Sequence, residues 1–169
     1  MSVLRVSFIV PAFNEARTIV EVLDRVEQLD FNRQIVVVDD GSTDDTAALV
    51  EAWRVGRTDV VLIRQPNRGK GAAIRAALPR LDGEVTVIQA ADMETGYKAF
   101  RTEVLQSLDL SEDGFGIEPE ITAKVCKRKL RVYELPIAYY GRTYAEGKKI
   151  TWRDGVRAIL VLMRVRVSG

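Results

Sequence analysis

The chain alternates between short runs rich in β-branched residues and longer stretches in which apolar residues recur every three or four positions. The short runs are typical of strands buried within a sheet, and the longer stretches are typical of amphipathic helices. The pattern predicts strands at Val6–Asn14, Gln34–Asp40, Asp59–Gln65 and Glu84–Gln89. It predicts helices between them at Glu15–Leu29, Asp44–Trp53 and Ala72–Leu78, the first of them N-capped by Asn14.

This order of elements predicts an α/β fold: an open, mostly parallel, Rossmann-like sheet with helices on both faces. The length of 169 residues suits one domain. Sheets of this kind bind ligands beyond the carboxyl ends of their strands. Polar residues follow each of the four predicted strands, so the candidate chemistry is expected at one edge of the sheet.

The pattern changes after Asp92. A short strand is predicted at 95–100, a helix at 101–108 and a second helix at Ile117–Lys129, followed by a strand at Leu130–Arg142. A basic loop at 143–150 then leads into a helix at 151–167, in which arginines lie beside apolar residues. We therefore expect one domain with two halves, 1–92 and 93–169.

Composition restricts the chemistry that this chain can perform. The sequence has no histidine and a single cysteine, Cys126. Ser-His-Asp and Cys-His catalysis, the usual zinc sites and a disulfide framework are thereby excluded. Any reaction has to depend on carboxylates, lysines, arginines, hydroxyls, or an oxygen-bound hard metal such as Mg²⁺ or Mn²⁺.

Charge is distributed unevenly along the chain. Residues 124–169 contain 12 Lys or Arg and 3 Asp or Glu, although the whole chain has a net charge of only +1. A basic third suits an anionic partner, such as phosphates, a lipid surface or nucleic acid, but it is also compatible with a solvated basic face. Nucleic acid is the least favoured partner, because the aromatic residues do not alternate with the basic ones as stacking platforms would.

The last helix has two interpretations. Its arginines and apolar stripe would suit a position in the membrane interface. The same pattern would also suit a helix that packs on the core while its arginines reach solvent.

Three polar segments are candidates for a binding site, and each has a simpler structural interpretation. The segment DDGSTDDT, which begins at Asp39, could hydrogen-bond a nucleotide or could cap a helix. The segment NRGKG, residues 67–71, could let backbone N–H groups approach an anion or could be a turn. The segment GRTYAEGKKI, residues 141–150, could bind a diphosphate or could be a solvated basic loop.

Taken together, these segments resemble a known family. VSFIVPAFNEARTI, IVVVDDGSTDDT and NRGKGAAIRAAL, in that order, resemble the nucleotide-sugar-binding half of family 2 glycosyltransferases, which have the GT-A fold. DMETGYKAFRTEVL, GFGIEPEITAKV and VYELPIAYYGRTYAEGKKITWRDGVRA resemble the second half of a bacterial branch, whose relatives include dolichol-phosphate mannose and glucose synthases. The resemblance covers nearly the whole chain.

The resemblance implies a role for particular residues. It implies that the segment after the first strand holds the base and ribose, that the acidic pair contacts the nucleoside, that the glycine-lysine loop lies beside the base and that a basic loop closes over the phosphates. The residues in that order are Pro11, Ala12, Asn14 and Glu15; Asp39 and Asp40; Gly69, Lys70 and Gly71; and Arg142, Lys148 and Lys149.

The implied reaction transfers a hexose, with inversion, from a GDP- or UDP-sugar to a polyprenyl or dolichyl phosphate. A phosphate acceptor is already anionic near neutral pH and needs little help from a general base, which is consistent with a chain without histidine. We expect the protein to act in the cytoplasm, peripherally at the inner membrane face, and a homo-oligomer is possible. The N-terminus has no signal-peptide pattern, and no apolar run approaches the roughly 20 residues that would span a bilayer.

The sequence departs from the family at the expected metal site. Family members end the fourth strand with Asp-x-Asp, which holds a divalent ion against the diphosphate. Here the same place reads Gln89-Ala90-Ala91-Asp92, so Gln89 and Asp92 are the remaining candidate metal ligands and Asp92 is the candidate catalytic residue.

Asp92 also matches the first residue of a later family motif, Asp-x-x-Thr-Gly-Tyr-Lys, and the acceptor-side stretch between the two motifs is missing. The resemblance therefore indicates an internal gap near residues 89–93. The gap could reflect an engineered minimal chain, a degenerate natural copy or residues missing from this sequence. The alternative function is a catalytically impaired nucleotide-binding module.

Overall fold

The computed structural model describes residues 4–91, 97–134 and 152–167. The strands are β1 (Arg5–Ala12), β2 (Asn32–Asp39), β3 (Val60–Arg64), β4 (Val85–Ile88) and β5 (Lys98–Arg101). The helices are α1 (Ile19–Glu27), α2 (Thr46–Trp53), α3 (Lys70–Ala77), α4 (Thr102–Ser107), α5 (Ile117–Lys127) and α6 (Trp152–Val167), with a 3₁₀ turn at Leu78–Arg80.

The five strands form one sheet in the order β3-β2-β1-β4-β5. The first four strands are parallel, and β5 pairs antiparallel with β4. The chain moves outward from β1 to β3 and then returns to the other side of β1, so the strand order reverses between β1 and β4. In open α/β sheets this reversal opens a crevice beyond the carboxyl ends of the strands, where ligands bind. The predicted mostly parallel sheet is confirmed.

Helices cover both faces of the sheet, as predicted. On one face, Phe8 and Val10 of β1 pack with Leu23 of α1 and Val50 of α2. On the other face, Ile9 of β1 packs in a cluster with residues of α3, α4 and α5, namely Ile74, Leu105 and Ile117. Alternate side chains of β1 thus enter opposite cores, because successive residues of a strand point to opposite faces. This explains why β1 is buried over almost its full length.

The start of α1 differs from the prediction. The helix begins at Ile19 and follows Thr18, whose side chain makes no capping hydrogen bond. Asn14, predicted as the N-cap, has a positive φ of 54° and uses its side-chain oxygen to accept from the backbone N–H of Thr43 at 2.8 Å. The side chain of Asn14, which the local sequence predicted to cap α1, therefore contacts the turn after β2 instead.

The predicted strand at Leu130–Arg142 is wrong for its described part. Residues 130–134 have no regular secondary structure, and Val132 and Tyr133 are 59% and 82% exposed. A strand needs a neighbouring strand for its backbone hydrogen bonds, and the sheet order places none beside these residues. The remainder of that predicted strand lies outside the described residues.

A buried carboxylate holds the segment that precedes α5. Glu120, which is 0% exposed, accepts hydrogen bonds from the backbone N–H groups of Ser111 and Glu112 at 3.1 and 2.8 Å. The ammonium group of Lys124 lies 2.9 Å from the same carboxylate. Burial by itself raises the pKa of Glu120, but these hydrogen bonds outweigh it and hold the pKa below its ordinary value of 4.5.

The lowered pKa predicts how stability should depend on pH. Replacing Glu120 with Gln removes hydrogen bonds to a charged group and should lower the free energy of unfolding by about 2 kcal/mol at pH 7. Because the folded-state pKa lies below the unfolded value, the advantage of wild type should be complete above pH 4.5 and should be lost as pH falls through the folded-state pKa. Urea unfolding of both proteins between pH 3 and 7 measures this difference; a difference that does not change with pH would contradict the assignment.

Candidate functional site

The acidic pair after β2 lies at the carboxyl edge of the sheet. Asp39 is the last residue of β2, and its register partner is Ala12, the last residue of β1. The backbone N–H of Asp40 donates to the carbonyl of Ala12 at 2.9 Å. Asp39 and Asp40 are only 2% and 3% exposed. The structure therefore brings Pro11, Ala12, Asp39 and Asp40 together, as the strand order predicted.

The two aspartates differ in how their carboxylates are used. Asp40 accepts three hydrogen bonds: from the side chain of Gln65 at 2.7 Å and from the backbone N–H groups of Arg68 and Gly69 at 2.9 and 2.7 Å. Both of its oxygens are thus occupied by the loop that leads into α3. A carboxylate with this many donors acts as a structural anchor for that loop.

Asp39 keeps more of its capacity to accept hydrogen bonds. Its Oδ1 accepts from the backbone N–H of Ser42 at 3.2 Å. Its Oδ2 lies 3.8 Å from Nε of Arg64, which is too long for a hydrogen bond. A carboxylate oxygen at a sheet edge, beside a partly exposed guanidinium, is suited to accept from the hydroxyl groups of a ligand.

Asn14 and Glu15 connect β1 to the turn after β2. The backbone N–H of Asn14 donates to the hydroxyl of Ser42 at 2.9 Å, and that of Glu15 donates to the hydroxyl of Thr46 at 2.9 Å. The side chain of Glu15 is buried and lies 3.2 Å from the hydroxyl of Thr18. These contacts fix the geometry of the edge, and a nucleotide contact by either residue stays a prediction.

The glycines of the third segment pack against the protein's own backbone. A Cβ atom on Gly69 would lie 2.6 Å from the carbonyl oxygen of Asp113, and one on Gly71 would lie 2.1 Å from that of Glu112. Gly69 also has a φ of +102°, which favours glycine. In addition, the backbone N–H of Ala72 donates to the carbonyl of Asp113 at 3.0 Å. The need for glycine here is explained by this close approach, and contact with a nucleotide base stays a prediction.

Lys70 forms an ion pair inside a small cavity. Its ammonium group lies 2.7 Å from a carboxylate oxygen of Glu118 and is mostly buried, and Lys98 lies 3.5 Å from the other oxygen. Burial favours the neutral acid, but the two lysines outweigh it and hold the pKa of Glu118 below its ordinary value. The same cavity is lined by Ala90, so this cluster lies at the carboxyl end of β4.

Gln89 directly follows β4, at the carboxyl end of that strand. It is 5% exposed, its amide nitrogen donates to the carbonyl of Ala90 at 2.8 Å, and its Oε1 has no hydrogen-bond partner among the described residues. A buried oxygen without a partner is suited to a ligand or ion. However, Mg²⁺ and Mn²⁺ require several oxygen ligands, and Ala90 and Ala91 supply no side-chain oxygen. Within residues 4–91, 97–134 and 152–167, no cluster of three acidic, histidine or cysteine side chains could hold a metal. The described residues therefore do not by themselves fit a divalent ion.

Four predicted site residues lie outside the described residues. They are Asp92, the candidate catalytic residue and metal ligand, and the three cations of the basic loop, Arg142, Lys148 and Lys149. Sequence analysis also missed residues that shape this edge. Glu118 pairs with Lys70, 48 positions away, and with Lys98, 20 positions away, and no local pattern indicates a contact at such separations.

The sheet edge, with its buried acidic pair and glycine loop, can now be compared with known proteins. Residues 7–109 match the model of the family described as Glycosyl transferase family 2. The chain belongs to this family. The match begins within β1 and ends after α4, so it includes the acidic pair and the glycine segment but not Glu112, Asp113 or Glu118.

The chain is also similar to individual family members. It is 37% identical over 167 residues to the dolichyl-phosphate beta-glucosyltransferase ALG5D of Trichomonas vaginalis, which covers 93% of this chain and 45% of that protein. The chain spans between about a third and just under half of the length of the first curated relatives that it matches. The activity of a whole relative therefore does not transfer to this chain directly.

Two solved structures confirm the GT-A fold. The chain is similar to the mannosyltransferase PcManGT from Pyrobaculum calidifontis in complex with GDP-Man and Mn²⁺, with a TM-score of 0.51 and 33% identity over 63% of this chain and 32% of that one. It is also similar to the glucosyl-3-phosphoglycerate synthase from Mycobacterium tuberculosis in complex with UDP, with a TM-score of 0.67 over 95% of this chain and 80% of that one. The second pair is only 17% identical and supports the fold alone.

The close approach at Gly71 predicts a large effect of a single methyl group. Replacing Gly71 with Ala should lower the free energy of unfolding by about 2 kcal/mol, because the new Cβ atom would overlap the carbonyl oxygen of Glu112. Replacing Gly114 with Ala is the matched control, since a Cβ atom there meets nothing within 4 Å and should change stability by less than about 0.5 kcal/mol. Urea unfolding measures both variants, and equal effects would show that the described approach is not as close as stated.

Proposed function

We propose that the chain is the catalytic domain of an inverting hexosyltransferase, which moves a sugar from a GDP- or UDP-linked donor to a polyprenyl phosphate. The observation that carries the proposal is the half-occupied Asp39, buried at the sheet edge of a family 2 glycosyltransferase. The PcManGT structure contains GDP-Man, and ALG5D is a dolichyl-phosphate glucosyltransferase, which supports this class of donor and acceptor.

The donor would bind across the crevice between β1 and β4. Asp39 would accept hydrogen bonds from hydroxyl groups of the nucleoside, and Pro11, Ala12, Asn14 and Glu15 would surround the base and ribose. Asp40, Gly69 and Gly71 would contribute by holding the start of α3, which carries Lys70, beside the base. Arg142, Lys148 and Lys149 would close over the diphosphate. In this division, residues 1–92 bind the donor and residues 93–169 form the acceptor side.

The proposed reaction is a single displacement at the anomeric carbon. A phosphate oxygen of the acceptor attacks from the face opposite the leaving group, a new carbon–oxygen bond forms, and the bond to the nucleoside diphosphate breaks with inversion. Because the acceptor oxygen is already anionic, no histidine is needed as a base. A divalent ion, Mg²⁺ or Mn²⁺, would supply Lewis-acid help to the departing diphosphate. Gln89 and Asp92 are the residues proposed to hold it, and Asp92 lies outside the described residues.

A membrane surface is the proposed location of the acceptor. Among the α6 side chains that the structure describes, Val161 and Val165 are buried. Six other large apolar side chains are at least 44% exposed; they are Val156, Ile159, Leu160, Leu162, Met163 and Val167. Exposed apolar residues on a helix that also carries arginines favour the interface of an anionic bilayer. None of the described helices is both long and apolar enough to cross a bilayer. The proposed location is therefore peripheral, at the cytoplasmic face of the inner membrane.

A second candidate function is a nucleotide-binding module without turnover. It is favoured by Ala90 and Ala91, which occupy the strand end where the family carries a metal-binding carboxylate. Calorimetry with GDP and UDP, in Mn²⁺ and in EDTA, separates the two functions. Binding that persists in EDTA without sugar transfer would favour the module, and strongly metal-dependent binding would argue against it.

The transferase proposal makes a prediction about Asp39. Wild type, incubated with GDP-mannose or UDP-glucose, Mn²⁺ and a short polyprenyl phosphate, should form a glycosylated lipid that mass spectrometry detects. Replacing Asp39 with Asn should weaken nucleotide binding at least about tenfold, because a hydrogen bond to a charged acceptor is lost. Asp82 is the matched control: it is half exposed, pairs with Arg5 at the opposite edge of the sheet, and its replacement by Asn should leave binding unchanged.

Two results would overturn this assignment. Failure of wild type to form product from any donor, in a preparation that binds nucleotide, would remove the transferase function and leave the binding module. Equal affinities of wild type and the Asp39→Asn variant would remove Asp39 from the site.

The membrane proposal makes a separate prediction about α6. Replacing both Leu160 and Met163 with Gln should reduce co-sedimentation with anionic vesicles about tenfold, because two exposed apolar side chains no longer enter the lipid. Val55, which is 76% exposed at the end of α2, is the control site, and its replacement by Gln should have no effect. If the double variant pellets like wild type, α6 does not contact lipid; loss of a homo-oligomer instead would assign this face to a second copy of the chain.

A further inference from the structure

The side chain of Glu112 links α6 to the segment before α5. Its carboxylate is only 6% exposed and forms ion pairs with two arginines of α6. Nε of Arg157 lies 2.9 Å from Oε2, and an Nη atom of Arg164 lies 2.9 Å from Oε1. Each oxygen of one buried carboxylate is therefore matched to a different turn of the same helix. This geometry fixes both the position of α6 along its axis and its rotation.

The backbone of the same segment supports the start of α3. The carbonyl oxygens of Glu112 and Asp113 lie 2.1 and 2.6 Å from the positions that Cβ atoms of Gly71 and Gly69 would take. Asp113 also accepts from the backbone N–H of Ala72 at 3.0 Å. The start of α3, which carries Lys70, is thus in direct contact with residues 112–113. A displacement of residues 112–113 by even a few tenths of an ångström would therefore move the start of α3.

The segment between these two contacts has little freedom. Glu120 accepts from the backbone N–H groups of Ser111 and Glu112, and the hydroxyl of Ser111 lies 3.0 Å from an Nη atom of Arg164. Residues 111–113 are therefore held by α5 from one side and by α6 from another. An element held in this way can transmit the position of one helix to the next.

We infer that Glu112 is a positioning residue, through which α6 sets the position of Gly69–Gly71 at the start of α3. The inference rests on the proposed function only in that this start of α3 is taken to lie beside the nucleotide base. It changes the interpretation of two arginines: Arg157 and Arg164 pair with Glu112, so they hold α6 on the protein and are not simply lipid contacts. A buried carboxylate with two cations contributes less to stability than to a defined geometry, since its desolvation offsets much of the attraction.

Hydrogen exchange in the full chain tests this inference without any ligand. In the Arg157→Gln variant, the backbone amide of Ala72 and its neighbours in 69–75 should exchange about fivefold faster, because one of the two arginines that hold Glu112 is lost. Arg164 still neutralises Glu112 in this variant, so the fold should persist. Glu112→Gln should have the same effect on the same amides, and Arg157→Lys, which keeps the cation, should restore most of the protection. Arg166→Gln is the control on α6, because the described residues provide no ion pair for Arg166.

Two results would overturn the inference. One is unchanged exchange at 69–75 in both the Arg157→Gln and the Glu112→Gln variants. The other is faster exchange spread equally over β1, β2 and β3, which would show that Glu112 only contributes to global stability.

Nucleotide calorimetry on the same variants tests the proposed function separately from the role of Glu112. Wild type that binds neither GDP nor UDP would contradict the proposed function, whereas the exchange result decides the role of Glu112 in either case. If wild type binds, Arg157→Gln should weaken the affinity about threefold to fivefold, by the same displacement of the start of α3.

Discussion

Buried carboxylates that must find hydrogen-bond donors are the constraint on which the candidate site depends. A carboxylate taken out of water is costly unless several donors replace the lost water. Asp40 meets this requirement with two backbone N–H groups from the loop before α3, and Glu120 meets it with two from the segment before α5. In both cases the charge is stabilised only when a loop adopts one particular course. The acidic residues therefore determine the shape of backbone that has no regular secondary structure.

The same need for hydrogen-bond donors distinguishes two neighbouring aspartates. Among the described residues, the carboxylate of Asp40 accepts three hydrogen bonds, whereas that of Asp39 accepts one and lies 3.8 Å from Arg64. The two aspartates form one motif in the sequence but have different roles: Asp39 is the candidate binding group, and Asp40, which follows it, anchors the loop before α3. Both residues are buried at the same edge, and a nucleoside contact by either stays a prediction.

Local patterns were sufficient to predict the sheet and insufficient to predict its contacts. The strands follow from short β-branched runs, and the helices on both faces follow from apolar residues that recur every three or four positions. Both signals are visible within short windows. The N-cap assigned to Asn14 was wrong because Thr43, 29 positions away, binds that side chain. The strand predicted from Leu130 was wrong in its described part because a pattern cannot indicate whether a partner strand is present. The contacts of Glu112 with Arg157 and of Glu118 with Lys70 join residues 45 and 48 positions apart, for which the sequence carries no signal.

The geometry of β4 and β5 shows how the chain can lack an acceptor-side stretch and still close its sheet. Ile88 and Lys98 are direct partners in an antiparallel pair, so the chain between them needs to span only a short distance. Antiparallel neighbours can be joined by a short connection, whereas a parallel pair needs a long crossover. The cost of lengthening such a connection also rises slowly, so this position tolerates a long or a short segment. The gap that the family resemblance indicates near residues 89–93 therefore falls where it disturbs the donor-binding edge least. Nucleotide binding and sugar transfer can thus be separate properties of this chain.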